Sequence, residues 1–442
     1  MRKPPLLLWP VLCLLMLATL SGCPQKTSPP ASSPPATPSS PAGSAAAPAP
    51  QPAAQPAATA KGTGTQWPRF RGVDGDGIAA DTGINKDWGS RNPRTLWQEA
   101  LGDRGFAGPS VAAGKVFIID HSSDRDIVRA LALDTGKEVW RFEYQDTASE
   151  NYGFARSTPT YDDGKLYTLS RLGKLHCLDA ESGQQVWVRD LVAEFGGQRP
   201  QWDYAASPLV DGKALIVCPG GKTGVAALDK TSGATLWTGG IGGPPGYATP
   251  VLATLSGKRQ YVVFAGTVLY AVATDSGQAL WQTPWKTEYD VNAATPIVME
   301  DFVFVTSGYH TGCGLFKIQA SGASAAWKTP EIQSHFNTPV YVNGFLYGTS
   351  DPGNLVCLNP QDGSATWKQQ GFEKGGVVYV DGVILAVDGK GGDVVMVAAD
   401  PQAYRELGRI NPLGGQSWTA PIVADGKLIL RNTKALAAID LL

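Results

Sequence analysis

The chain has 442 residues, 17% of them charged, and a formal net charge of −2. That balance offers neither the basic surface that nucleic acid requires nor a general pull on acidic partners. Its 52 glycines and 33 prolines break up nearly the whole length, and helix signals are almost absent, so the composition argues for short strands between turns.

At the front, Met1-Arg2-Lys3 is basic and Leu6 to Leu20 is an apolar run too short to span a bilayer. Residues 1–22 therefore read as a signal peptide. Leu20-Ser21-Gly22-Cys23 resembles the lipobox of bacterial lipoproteins, which implies that Cys23 is acylated and becomes the mature N-terminus. Pro24 stands where Asp would imply retention in the inner membrane. The same resemblance thus implies an outer-membrane anchor facing the periplasm. Residues 23–66 follow, with 11 prolines and, beyond Cys23, no aliphatic larger than Ala. Such a segment cannot bury enough apolar surface to offset its ordering entropy and is expected to be a disordered tether. Membrane attachment then rests on the lipid.

From Trp67 to Leu442 the chain repeats itself. A Trp recurs at 140, 187, 237, 281, 327 and 367, and each interval begins with a small residue followed by Pro. A period of 40 to 50 residues marks a propeller, solenoid or array. The first unit runs Gly108-Pro109-Ser110-Val111, Val116-Phe117-Ile118-Ile119, Val128 to Leu133, then Asp134-Thr135-Gly136 and Glu138-Val139-Trp140. These are four short strands between turns, which is one propeller blade. The last hairpins of later units repeat the pattern, with Trp four residues after Gly183, Gly233, Gly277 and Gly363. In the fifth unit Gly322 stands five residues before Trp327, an insertion. Gly supplies the positive φ of the hairpin, and the ring beyond it is placed to wedge between neighbouring blades.

A seventh unit, from Gly375 to about Ile410, lacks the Trp, and Tyr404 or Leu407 is expected in its slot. An eighth begins at Ala420-Pro421 and stops at Leu442, one strand short. The missing strand stands near the start, where Arg94 to Leu101 has an outer-strand pattern that includes Trp97. The sequence thus predicts an all-β, eight-bladed propeller of four-stranded blades spanning 67–442, its ring closed by an N-terminal strand so that no edge is left to aggregate.

Ala130-Leu131 through Gly136 to Trp140, and Leu178-Asp179 through Gly183 to Trp187, resemble the Trp-docking motif of pyrroloquinoline-quinone (PQQ) repeat propellers. The likeness covers about residues 94–442. Trp67-Pro68-Arg69-Phe70-Arg71-Gly72, with Gly77 and then Gly83-Ile84 through Trp88, resembles a lead-in of bacterial PQQ-like repeat proteins. Two groups share this propeller: quinoprotein dehydrogenases, and non-catalytic lipoproteins such as the propeller subunit of the outer-membrane β-barrel assembly machinery. The fold alone does not choose between them.

Catalytic signatures are few. No adjacent Cys pair of the kind many quinoprotein alcohol dehydrogenases carry is present; Cys177, Cys218, Cys313 and Cys357 read as buried thiols, with one disulfide between neighbouring blades left open. Gly220-Gly221-Lys222-Thr223 is a hairpin turn rather than a phosphate loop. His121, His176, His310 and His335 show no zinc spacing, and Asp74-Gly75-Asp76-Gly77 lacks the later Glu of a calcium loop. No metal site is expected.

One constellation suggests a site. Before the Pro of successive units stand Phe106, Phe154 with Arg156, Asp203 with Tyr204, Tyr247, Asn292, Phe336 and Trp418. Equivalent positions of successive blades fall on one end of a ring, so these side chains are expected around the channel mouth. Three uses stay open: packing that fills the channel, a groove for a protein or peptide, or a seat for a quinone. The quinoprotein resemblance implies a cofactor stacked on an aromatic and held by Arg, Asn and Asp. In that reading Asp203 would be the general base and Arg156 would polarise the quinone carbonyl. The favoured expectation is a monomeric, non-catalytic scaffold without cofactor that binds envelope proteins or peptides. The alternative is a dehydrogenase using PQQ with Ca2+ on an alcohol or sugar.

Overall fold

The computed structural model describes residues 64–442. The signal peptide, the lipidation residue Cys23 and the tether as far as residue 63 lie outside the described residues. Eight antiparallel four-stranded sheets follow one another around a ring. The first blade is Ser110–Ala112, Lys115–Ser122, Arg125–Ala132 and Glu138–Gln145, each strand paired with the next. Its tight first hairpin turns through Ala113 and Gly114, both at positive φ, as a two-residue turn between twisted strands demands. The last blade is closed as the sequence predicts. Thr95–Ala100 pairs antiparallel with Ala435–Asp440, bringing Trp97 opposite Ala438.

The tryptophans explain the spacing. Seven outer strands slip register by one residue beside the third strand, and the Trp follows that bulge, where re-aimed side chains are usual. The Trp97 indole N–H donates to the Leu133 carbonyl of the next blade at 2.7 Å, and Trp140 reaches Ala180 at 3.1 Å. Trp187, Trp237, Trp327 and Trp367 likewise donate to Lys230, Thr274, Pro360 and Asp400. The ring lies on the hairpin glycine. A Cβ on Gly136 would meet Trp97 at 2.7 Å, and one on Gly183 would meet Trp140 at 2.6 Å. Glycine is therefore required there twice, by its φ of about 70° and by the aromatic ring above it.

Trp281 departs from the rule. Its indole donates to the Gln260 side chain of its own blade at 2.6 Å, because the facing hairpin of the fifth blade is the one with the insertion and brings no glycine beneath the ring. The seventh blade also differs from expectation. Gly408 pairs with Met396 just past the bulge and so occupies the Trp position. Trp88 from the N-terminal lead-in lies against it, its own Cβ 2.6 Å from where a Cβ on Gly408 would stand. Tyr404 instead packs edge-on against Trp367, with ring centroids 5.7 Å apart.

The lead-in also crosses the channel. Trp67 exchanges backbone hydrogen bonds with Val111 of the first blade, and Pro68 accepts one from Tyr161 of the second. Arg71, buried, donates to the Thr338 and Pro339 carbonyls of the sixth blade at 3.0 and 2.9 Å. Ile78–Ala79 then adds a parallel strand to Val377–Val380 of the seventh. The four cysteines within the propeller are buried free thiols.

Candidate functional site

In a blade of four antiparallel strands, the loop entering the first strand and the loop joining the second to the third emerge at the same end. Both kinds of loop line a cavity of about 430 Å³ in the central channel, floored by the Trp67–Gly77 crossing. Of the nine side chains expected at the mouth, five line it: Phe106, Arg156, Tyr247, Phe336 and Trp418. Phe106 stacks on Trp418 at 5.2 Å, and Phe336 sits 5.4 Å from the same indole. His335 and Tyr309 continue the arc. The Tyr247 hydroxyl accepts the Trp202 amide at 3.1 Å, and burial pushes its pKa up to about 12.

The other four are turned into the protein. Phe154 stacks on His121 with centroids 3.5 Å apart. Asp203 is buried in an ion pair with Arg171 at 2.9 Å. Tyr204 donates its hydroxyl to the Pro219 carbonyl at 2.7 Å. Asn292, fully buried, donates to the Ala265 and Gly266 carbonyls while its amide oxygen accepts from Thr287 and Ser307. Asp203, Tyr204 and Asn292 are buried groups whose polar atoms their neighbours already satisfy, and the half-buried Phe154 ring is held by His121 and the Arg171 guanidinium.

The sequence reading missed Tyr152, Trp202, Tyr309, His335 and Lys374, all of which line the cavity. Tyr309 lies in a loop between second and third strands, and the antiparallel order alone would have placed that loop at this end. Two cations face the apolar arc. Lys374 Nζ stands 5.5 Å over the Trp418 ring, a cation–π approach. Arg156 donates to the Asn151 and Gly153 carbonyls, and burial lowers its pKa. No Asp or Glu is among the lining residues. The site can therefore receive apolar or aromatic groups accompanied by negative charge, and it holds no carboxylate to take up a proton or a hard cation.

Comparison with known proteins decides the family. A family model described as outer membrane protein assembly factor BamB matches residues 124–369. The chain belongs to this BamB family. Among its relatives, the outer membrane protein assembly factor BamB of Yersinia pestis is 22% identical over 359 residues, 78% of this chain and 77% of that protein. The BamB of Moranella endobia is 24% identical over 315 residues, 67% of each chain. Among solved structures, BamB from Moraxella catarrhalis superposes with a TM-score of 0.59 at 20% identity, covering 79% of this chain and 99% of that one. Quinohemoprotein alcohol dehydrogenase from Comamonas testosteroni reaches 0.63 at 13% identity, covering 87% and 81%. At such identities these likenesses speak for the eight-bladed fold, which BamB and the dehydrogenases share.

Proposed function

We propose that this chain is a non-catalytic scaffold of the bacterial cell envelope that acts in outer-membrane protein assembly by binding proteins or peptides. The observation that carries the proposal is membership of the BamB family across residues 124–369. The channel mouth supports it, because a concave aromatic arc with Arg156 and Lys374 at its edge suits a partner's aromatic side chains and nearby carboxylates. Acylation of Cys23 and the tether would hold the propeller at the outer membrane on its periplasmic side, as a monomer reaching its partner from a lipid anchor.

The alternative, a dehydrogenase using PQQ with Ca2+, is less well supported by the residues present. Phe106 and Trp418 could stack on a flat ring, and Arg156 and Lys374 could face its carboxylates. The lining supplies no carboxylate for calcium, and the Asp203 and Asn292 side chains are spent on internal partners.

The test is genetic and biochemical. Removing the gene should lower the amount of β-barrel protein in the host's outer membrane, and a plasmid-borne copy should restore it. Unchanged β-barrel content would overturn the assembly role. Titration calorimetry of the protein with PQQ and calcium should show no saturable binding. A site filled near one equivalent and lost in Arg156→Ala would establish the alternative.

A further inference from the structure

Three strands of the first blade place His121, Asp126 and Tyr144 in one row, since His121 pairs with Asp126 and Asp126 with Tyr144. Asp146 follows just past the last of these strands. One ligand atom from each of His121, Asp126 and Asp146 lies within 4.8 Å of the others. The three residues are 1%, 0% and 1% exposed. Buried polar atoms are ordinarily paired, yet His121 Nε2 and both carboxylate oxygens of Asp126 have no hydrogen-bond partner. The Tyr144 hydroxyl, also without a hydrogen bond of ordinary geometry, lies close enough to Asp126 for the two groups to interact. Arg171 pairs with Asp146 at 2.6 Å and with Asp203 at 2.9 Å, Asp203 has a second cation in Arg199, and Asp126 has no ion pair.

We propose that His121, Asp126 and Asp146 form a buried site for a divalent transition-metal ion, Zn2+ by its donor set of one imidazole nitrogen and two carboxylate oxygens. His121 is already oriented for it. Its other ring nitrogen, Nδ1, stands 3.0 Å from Asp103 Oδ2, the carboxylate–histidine arrangement that presents Nε2 to a metal. Zn2+ at about 2.1 Å from each donor needs them no more than roughly 4.2 Å apart, so small side-chain rotations close the site. Arg171 takes one lone pair on each oxygen of Asp146 and the Ala148 amide takes the second on Oδ1, which leaves Oδ2 free to face the ion with Arg171 as an outer-shell partner. The ion would fix the connection leaving the first blade, which carries Tyr152 and Arg156 into the cavity. The spacing of these ligands in sequence follows no zinc motif because pairing across three strands, with Asp146 just past the last, brings them together.

The full, tag-free chain is folded with Zn2+ present, passed over a chelating resin and assayed by mass spectrometry for metal. About one retained equivalent is expected, falling below roughly a tenth in His121→Gln and in Asp126→Asn. Asp126→Asn preserves volume, so it should fold, as circular dichroism will report. Asp103→Asn keeps all three ligands and should weaken Zn2+ affinity by roughly 10- to 100-fold. Wild-type protein that retains no stoichiometric metal overturns the site, as does an equivalent that survives in both ligand variants.

Discussion

Trp88 lies against Gly408, and through that contact the N-terminal lead-in supplies the aromatic ring that the seventh blade's own outer strand lacks. Seven outer strands carry their Trp after a bulge, whereas the eighth carries a glycine in the same register. The glycine is needed because any side chain would occupy the space of the incoming indole. Trp88→Ala should therefore cost about 3–5 kcal/mol, the range for emptying a large buried aromatic site. Gly408→Ala should also destabilise, since its Cβ would stand 2.6 Å from that of Trp88. Urea unfolding of the two variants and of the double mutant will show non-additive losses if the contact is as described.

Ring closure makes a second prediction. Trp97 anchors the closing strand to the next blade through the Leu133 carbonyl and rests on Gly136. Trp97→Ala should destabilise by about 3–5 kcal/mol, and Gly136→Ala should follow it in direction. A Trp97→Ala protein with an unchanged melting temperature would mean that closure does not depend on this residue.

Acid should find a particular weak point at His176. Burial, foremost, holds its pKa down at about 4 against an ordinary 6.5, and its Nε2 has no partner. Its neighbours are Tyr144, Phe142, Gln185 and Lys174. None of these carries a negative charge at neutral pH. The folded state thus keeps the ring neutral while the unfolded chain takes up a proton below pH 6.5. Stability is unaffected above that value and falls as pH drops from 6.5 to 4, by on the order of 3 kcal/mol from this residue. His176→Phe should retain stacking and lose that slope. Denaturant melts of both proteins between pH 7 and 4 will show it, and parallel curves would exclude the residue.

Arg71 makes a fourth case. It hydrogen-bonds to backbone carbonyls of its own turn and of the sixth blade, and burial lowers its pKa to about 10. Arg71→Ala would leave buried carbonyls unpaired at about 1–3 kcal/mol apiece. Hydrogen exchange should quicken at the amides of Trp67, Val111 and Tyr379 while strands in the third and fourth blades keep their protection. Arg71→Lys, with one donor group in place of a fork, should rescue little of this.

The fold was legible because its grammar is steric. A glycine at positive φ and an aromatic four residues later cannot be moved independently, so blade count, ring closure and the docking role of most tryptophans follow from spacing. Trp88 escaped because its contact with Gly408 spans the chain and obeys no local period. The mouth was half legible for a related reason. Position before the Pro fixes which end of the ring a residue occupies, but not whether its side chain faces the channel or the neighbouring blade. Asp203 and Asn292 turn away because Arg171 and two loop carbonyls offer better partners than water. Tyr309 arrives from a loop the repeat does not mark.

Closing the ring from the front also dictates an order of events. Arg94 and Asp440, which meet across the closing strand, are 346 residues apart in sequence. The stretch that seals the last blade is therefore synthesised long before its partner exists. Until then it is an unpaired strand with an exposed indole, the kind of surface that seeks other chains. The earlier blades can each form from local hairpins, but the circle is completed only when both chain ends are present together. Truncation at either end would consequently leave an open, adhesive arc rather than a smaller propeller.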